Sequence, residues 1–216
     1  MDTTGFAVGA VTTGFSYPVV ARYSAANGVV TYSDLTDLAR GVSFNPQIVV
    51  ANSNNIFYAN NQAAERGTPK FSSGTVGLTV DGLLVPAEQL IMGIPGTSKD
   101  TVTVGQDTIE LINNDDDQKI PYVGIGVVLQ QQSNGNVFYK PFIYRKAQFA
   151  QFDVPANTEG ENIDWQTTAL SAAIFRDDTP KHPWRSIGKD PLATQLEAYN
   201  VLRVFFGGQA VQALPT

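Results

Sequence analysis

The sequence predicts a mainly β protein: a β-sandwich or split barrel with one short packed helix and an amphipathic helix near its end. Three observations carry this. Asn134-Gly135 stands between the alternating runs YVGIGVVLQQQ and VFYKPFIYRKAQF, and Asn-Gly in that setting is the strongest short-range hairpin signal. Residues 71–81 alternate cleanly, with Val76, Leu78 and Val80 pointing one way and Thr75, Gly77, Thr79 and Asp81 the other. Charged residues make up 16% of the chain, well below the roughly 25% usual for soluble domains. Asn, Gln, Ser, Thr and Gly take their place, as in loop-rich β proteins.

Taken in order, residues 1–16 are rich in Gly and Thr without a period and read as an N-terminal arm or loosely docked strand. A β-sandwich domain is expected over 17–208 and a short C-terminal tail over 209–216. Residues 17–24 and 29–32 flank Asn27-Gly28, a second hairpin signal. Residues 42–51 and 55–59 read as strands, and 60–69 (NNQAAERGTP) as a polar loop with no apolar anchor. After the strand over 71–81 comes a short helix, with Pro86 in its first turn, Leu90, Ile91 and Met92 as its apolar residues and Gly93 as its stop. Residues 101–104 and 108–112 form a small hairpin across Gly105-Gln106-Asp107, followed by the acidic run NNDDDQ.

In the central hairpin, Val123, Ile125, Val127 and Leu129 share a face with Phe138, Phe142 and Tyr144, which is the core side. The opposite face carries Gly124, Gly126, Gln130, Gln132, Tyr139, Pro141 and Arg145 and suits close approach by another backbone. Pro141 cannot donate to a ladder, which places its strand near a sheet edge. Residues 163–175 read as a long strand, whose spacing predicts Trp165 facing inward. Asp190 offers an N-cap and Pro191 an N1 residue for the last helix, with Leu192, Leu196, Tyr199, Leu202 and Phe206 at helical spacing.

The composition excludes several functions. A net charge of −6 argues against affinity for nucleic-acid phosphates or anionic lipid. Cysteine is absent, so disulfides and thiolate metal sites are not available. No apolar run approaches the ~20 residues of a membrane span, and the N-terminus lacks the pattern of a signal peptide, so no membrane insertion and folding in a cytoplasm are expected. The sole histidine, His182, sits between Pro180 and Pro183, away from any nucleophile motif. Residues 93–99 (GIPGTSK) lack phosphate-loop spacing. The run from Asn113 to Asp117 lacks the Gly and Glu of an EF-hand, and Glu159 and Glu161 lack an aromatic platform for sugar chemistry. No catalytic residue, metal site or cofactor is expected.

The order of elements resembles the major tail protein (tail tube protein) of long-tailed bacteriophages, chiefly those with non-contractile tails. The resemblance lies in TYSDLTDLARGVSFNPQIVVANSNNIFYANN, FSSGTVGLTVDGLLVPAEQLIMG, YVGIGVVLQQQSNGNVFYKPFIYRKAQF and TEGENIDWQTTALSAAIF, about two thirds of the chain. It implies a non-enzymatic virion subunit, assembled in the bacterial cytoplasm into hexameric rings that stack into a tube. A tape measure protein would fill the lumen during assembly, terminator and tip proteins would cap the tube, and DNA would pass through without specific binding.

Candidate inter-subunit contacts are Phe6 in the arm, Asn60, Glu65 and Arg66 in the polar loop, and Val128, Tyr139, Pro141 and Ile143 on the outer hairpin face. Asp81, Glu110, Glu161 and Asp164 are the candidate lumen acids. Competing readings are another tail or secretion-tube component, such as a terminator or distal tail protein, and a carbohydrate-binding or adhesive β-sandwich. The last would need exposed aromatics, for which Trp165 and Trp184 are the candidates.

Overall fold

The computed structural model describes residues 9–51, 55–158 and 165–215. Its centre is an antiparallel hairpin of β9 (Val123–Ser133) and β10 (Asn136–Phe149). Asn134 and Gly135 turn it with φ of 49° and 79°, the doubly positive geometry that matches strand twist. β1 (Val11–Ala26) pairs with β9 and, through an Asn27-Gly28 turn, with β2 (Val29–Asp37). On the other side, β10 hands over to β11 (Thr168–Phe175), then β6 (Lys70–Val80), then β3 (Gly41–Ala51). A three-residue strand, β12 (Arg185–Ile187), pairs with β10 beside β11.

The sheet curls over its core. Phe44 on β3 lies 5.7 Å from Phe15 on β1 and 5.7 Å from Phe142 on β10, though neither strand neighbours β3 in the ladder. The interior holds Val76, Leu78 and Val80 with Val123, Ile125, Val127, Phe142 and Tyr144, the side that alternation assigns to the core. Burial pushes the Tyr144 hydroxyl up to about 12. β11 alternates as well, with Leu170, Ala172 and Ile174 buried and Ala169 and Ser171 exposed.

The helix α1 (Val85–Met92) closes the core with Ala87, Leu90, Ile91 and Met92. It begins with Pro in its first turn and ends on Gly93 in the left-handed conformation, φ 68°. A Cβ on Gly93 would lie 1.8 Å from the Lys119 carbonyl oxygen. Gly93→Ala therefore combines left-handed strain with a backbone clash. We expect a loss of at least about 2 kcal/mol in urea unfolding. A loss below about 0.5 kcal/mol would mean that the 119–121 segment yields freely.

Several expectations need correction. β10 is not an edge strand. It is paired on both sides, and Pro141 spends its missing donor toward β12, where its carbonyl accepts from Gly188 N–H at 2.9 Å. Of the segment read as an arm or loosely docked strand, residues 11–16 take the strand form and pair with β9 as part of β1. Residues 60–69 are not a featureless loop; β4 (Ile56–Ala59) and β5 (Gln62–Arg66) form a hairpin there. The last helix, α2 (Gln195–Phe205), starts later than Asp190-Pro191 suggests. Leu192 is held in a bridge to Tyr139, and the helix opens on a capping box between Thr194 and Glu197. Trp165 is not inward: it is 83% exposed, because the strand begins only at Thr168.

Candidate assembly surface

The outer face of the central hairpin is covered by its own chain. Val128, Ile143, Val19 and Ala21 form a second apolar cluster with Ala198, Tyr199, Leu202 and Phe206 of the α2 region. Gly124 and Gly126 make the seat. Cβ atoms there would lie 2.3 and 2.8 Å from the Phe206 ring. Tyr199 donates to Asp37 at 2.8 Å, tying α2 to β2; burial and this carboxylate push its hydroxyl up to about 12. Past Gly208, Val211 exchanges both backbone bonds with the Asn200 side chain, at 2.8 and 3.0 Å, so the expected tail is docked.

This changes the standing of four contact candidates. Val128 and Ile143 are buried and Tyr139 is half-buried in the cluster with α2, while Pro141 is buried beside Gly188, so in this chain all four meet their own fold. The face was expected to look away from any core; it is a core of its own. Phe6, Glu161 and Asp164 lie outside the described residues.

Exposed apolar surface is concentrated instead on two hairpins. β4 and β5 extend the β3–β6 ribbon and turn at Asn60-Asn61, both with positive φ (51° and 61°). Ile56 pairs with Arg66 and Tyr58 with Ala63 on one face, while Phe57 pairs with Glu65 on the other. Every residue of both strands is exposed, Phe57 at 64% and Tyr58 at 62%. Asn60, Glu65 and Arg66 thus sit together on a projecting arm.

The other hairpin joins β7 (Lys99–Val104) to β8 (Asp107–Ile112) through Gly105-Gln106. Its register makes it amphipathic. Asp100, Val102 and Val104 share one face with Leu111, Ile109 and Asp107, while Lys99, Thr101 and Thr103 share the other with Ile112, Glu110 and Thr108. All twelve residues are exposed, so nothing among the described residues covers the apolar side.

Of the candidate lumen acids, Asp81 is bound by Arg40, whose backbone N–H also donates to it at 3.1 Å. Glu110 pairs with Lys99 across β7–β8. Near Asp81 a cleft of about 740 Å³ is lined by Phe15, Tyr17, Asp37, Leu84 and Pro215 among others.

Residues 176–184 are clasped to β10. The wholly buried Asp177 carboxylate accepts from Arg145 at 3.1 Å and from the Thr179 hydroxyl at 2.6 Å. Lys146 and Tyr23 both donate to Asp178 at 2.7 Å, and these bonds hold its carboxyl below the ordinary value of 3.8. A carboxylate depressed in the folded state stabilises above its unfolded pKa, and that contribution is lost as pH falls through the folded one. We therefore expect wild-type Tm to drop more steeply below about pH 4 than that of Asp178→Asn. Parallel acid melts would show that the clasp does not act through this group.

His182 Nδ1 lies 2.9 Å from the Asp177 carbonyl oxygen, and Asp115 accepts from the Asp117 N–H in a local turn. Among the described residues no group of three or more His, Asp or Glu is placed to hold a metal ion. Gly93 caps α1 and Lys99 opens β7, so 93–99 is a helix-to-strand connection. Trp184 stacks on Phe71 at 4.5 Å. No protein-family model matches the chain, and no curated protein matches it significantly.

Proposed function

We propose that this chain is a structural subunit of a bacteriophage tail tube, assembling into stacked hexameric rings whose lumen conducts DNA. The observation that carries the reading is a well-packed, curled β-sheet domain bearing two hairpins whose apolar residues are left in solvent. Exposed apolar surface of this kind on a folded domain marks a place where another chain binds. The order of elements that resembles tail tube proteins supplies the type of assembly. A net charge of −6 per copy suits a conduit for DNA, since a basic wall would bind phosphates at every ring. In this reading a tape measure protein and terminal tail proteins are the other partners, and the tube is part of the virion.

A carbohydrate-binding module is the second reading, favoured by the exposed Trp165. The other tryptophan it would need, Trp184, is half-buried and stacked on Phe71. Negative-stain microscopy of the concentrated protein separates the two. Rings or tubes with a central channel are expected; monodisperse monomers that bind a glycan array would overturn the tube.

A further inference from the structure

We infer that the apolar face of the β7–β8 hairpin seats on the β4–β5 arm of a second copy of this chain, head to tail. The inference rests on the reading of the chain as a self-assembling subunit and names the two surfaces that meet. An isolated two-stranded hairpin is marginally stable in water, and Val102, Val104, Ile109 and Leu111 are 42–63% exposed on one side of it. The lysine that pairs within the hairpin, Lys99 to Glu110, lies on its opposite side. The apolar stripe is bracketed by Asp100 at one end and Asp107 at the other, with no basic residue on that face.

This rim decides the partner. Two such faces packed on each other would bring four carboxylates together, so a symmetric contact is disfavoured. The complementary surface must be apolar with a basic edge, and the β4–β5 arm has that character. Ile56 and Tyr58 are exposed on one face, Arg66 lies directly opposite Ile56, and Lys70 follows where the arm rejoins β6. Each copy carries one surface of each kind. A contact between unlike surfaces that is not reciprocated within one pair repeats from copy to copy and generates a ring or a filament.

The test uses the full chain and four variants, followed by sedimentation velocity and electron microscopy. All the altered side chains are exposed, so wild-type Tm is expected throughout and serves as the folding control. Leu111→Asp should raise the concentration for half-assembly on the order of tenfold or more. Asp107→Lys and Arg66→Glu should each do likewise, and combining both in one chain should restore assembly. Failure of that double variant to recover would overturn the arm as the partner. If wild type forms channelled tubes and Leu111→Asp forms them equally well, the docking is wrong while the tube reading stands. If wild type forms only channel-free filaments that Leu111→Asp dissolves, the docking stands and the tube reading falls. A wild type that stays monomeric at millimolar concentration would overturn both.

Discussion

Phe206→Ala is expected to lose about 3–5 kcal/mol of stability, the range for removing a fully buried aromatic. Phe206, the C-cap residue of α2, is inaccessible to solvent. Its ring meets Tyr32 edge-on at 5.0 Å and Phe205 at 5.2 Å, and it fills the space that Gly124 and Gly126 leave by having no side chains. Such a pocket cannot collapse easily. Its floor is the paired backbone of β9, so a cavity would persist and add to the lost transfer energy. Phe206→Leu should retain part of this packing and lose less. Urea unfolding of the three proteins gives the ranking, and far-UV circular dichroism shows whether α2 stays on the sheet. If Phe206→Ala unfolds within about 0.5 kcal/mol of wild type, α2 is not what stabilises the outer face of the hairpin.

The parts of this arrangement were legible in the sequence, but their relation was not. Alternation gives the inner face of β9 and β10 directly, because a one-residue slip would expose Val123, Ile125 and Val127 together. Gly124 and Gly126 announce close approach on the other face, and Tyr199, Leu202 and Phe206 announce a helical stripe needing cover. Nothing local says that each is the other's partner. The sequence reading therefore left the hairpin face for a neighbouring subunit and the helix without a role.

Other misses have local causes. Asn60-Asn61 adopts the same doubly positive turn as the two Asn-Gly pairs, but QAAER has little β propensity and hid the hairpin. The start of α2 was available as Thr194-x-x-Glu197, a capping box passed over for the more conspicuous Asp-Pro. Trp165 was placed by extending a period of two beyond the point where β11 begins. The candidate surface was half legible: Asn60, Glu65 and Arg66 were picked out, whereas the open face of β7–β8 depends on which residues pair across Gly105-Gln106. Whether that face is covered is a tertiary fact.

Val128→Lys and Ile143→Lys test the hairpin face from the sheet side, and both are expected to prevent stable folding near neutral pH. If the face looked outward, each variant would be a folded protein with wild-type Tm. Val128 is fully buried and Ile143 is 4% exposed, both against Tyr199, Leu202 and Phe206 as one cluster. The side chains of that cluster are aliphatic and aromatic, so an ammonium group would be taken out of water among them. Its desolvation costs several kcal/mol, comparable to the whole stability of a typical domain. The penalty has a pH signature. A buried lysine has its folded pKa pushed below the unfolded value of about 10.4, so the unfolded state holds more protons between the two. Stability of the variants should therefore rise with pH through that window, while wild type shows no such gain from this position. Ile143→Met keeps the volume without the charge and should cost less than about 1.5 kcal/mol. Lysine variants that melt at the wild-type temperature, with no dependence on pH between 7 and about 10, would put the face in solvent and α2 elsewhere.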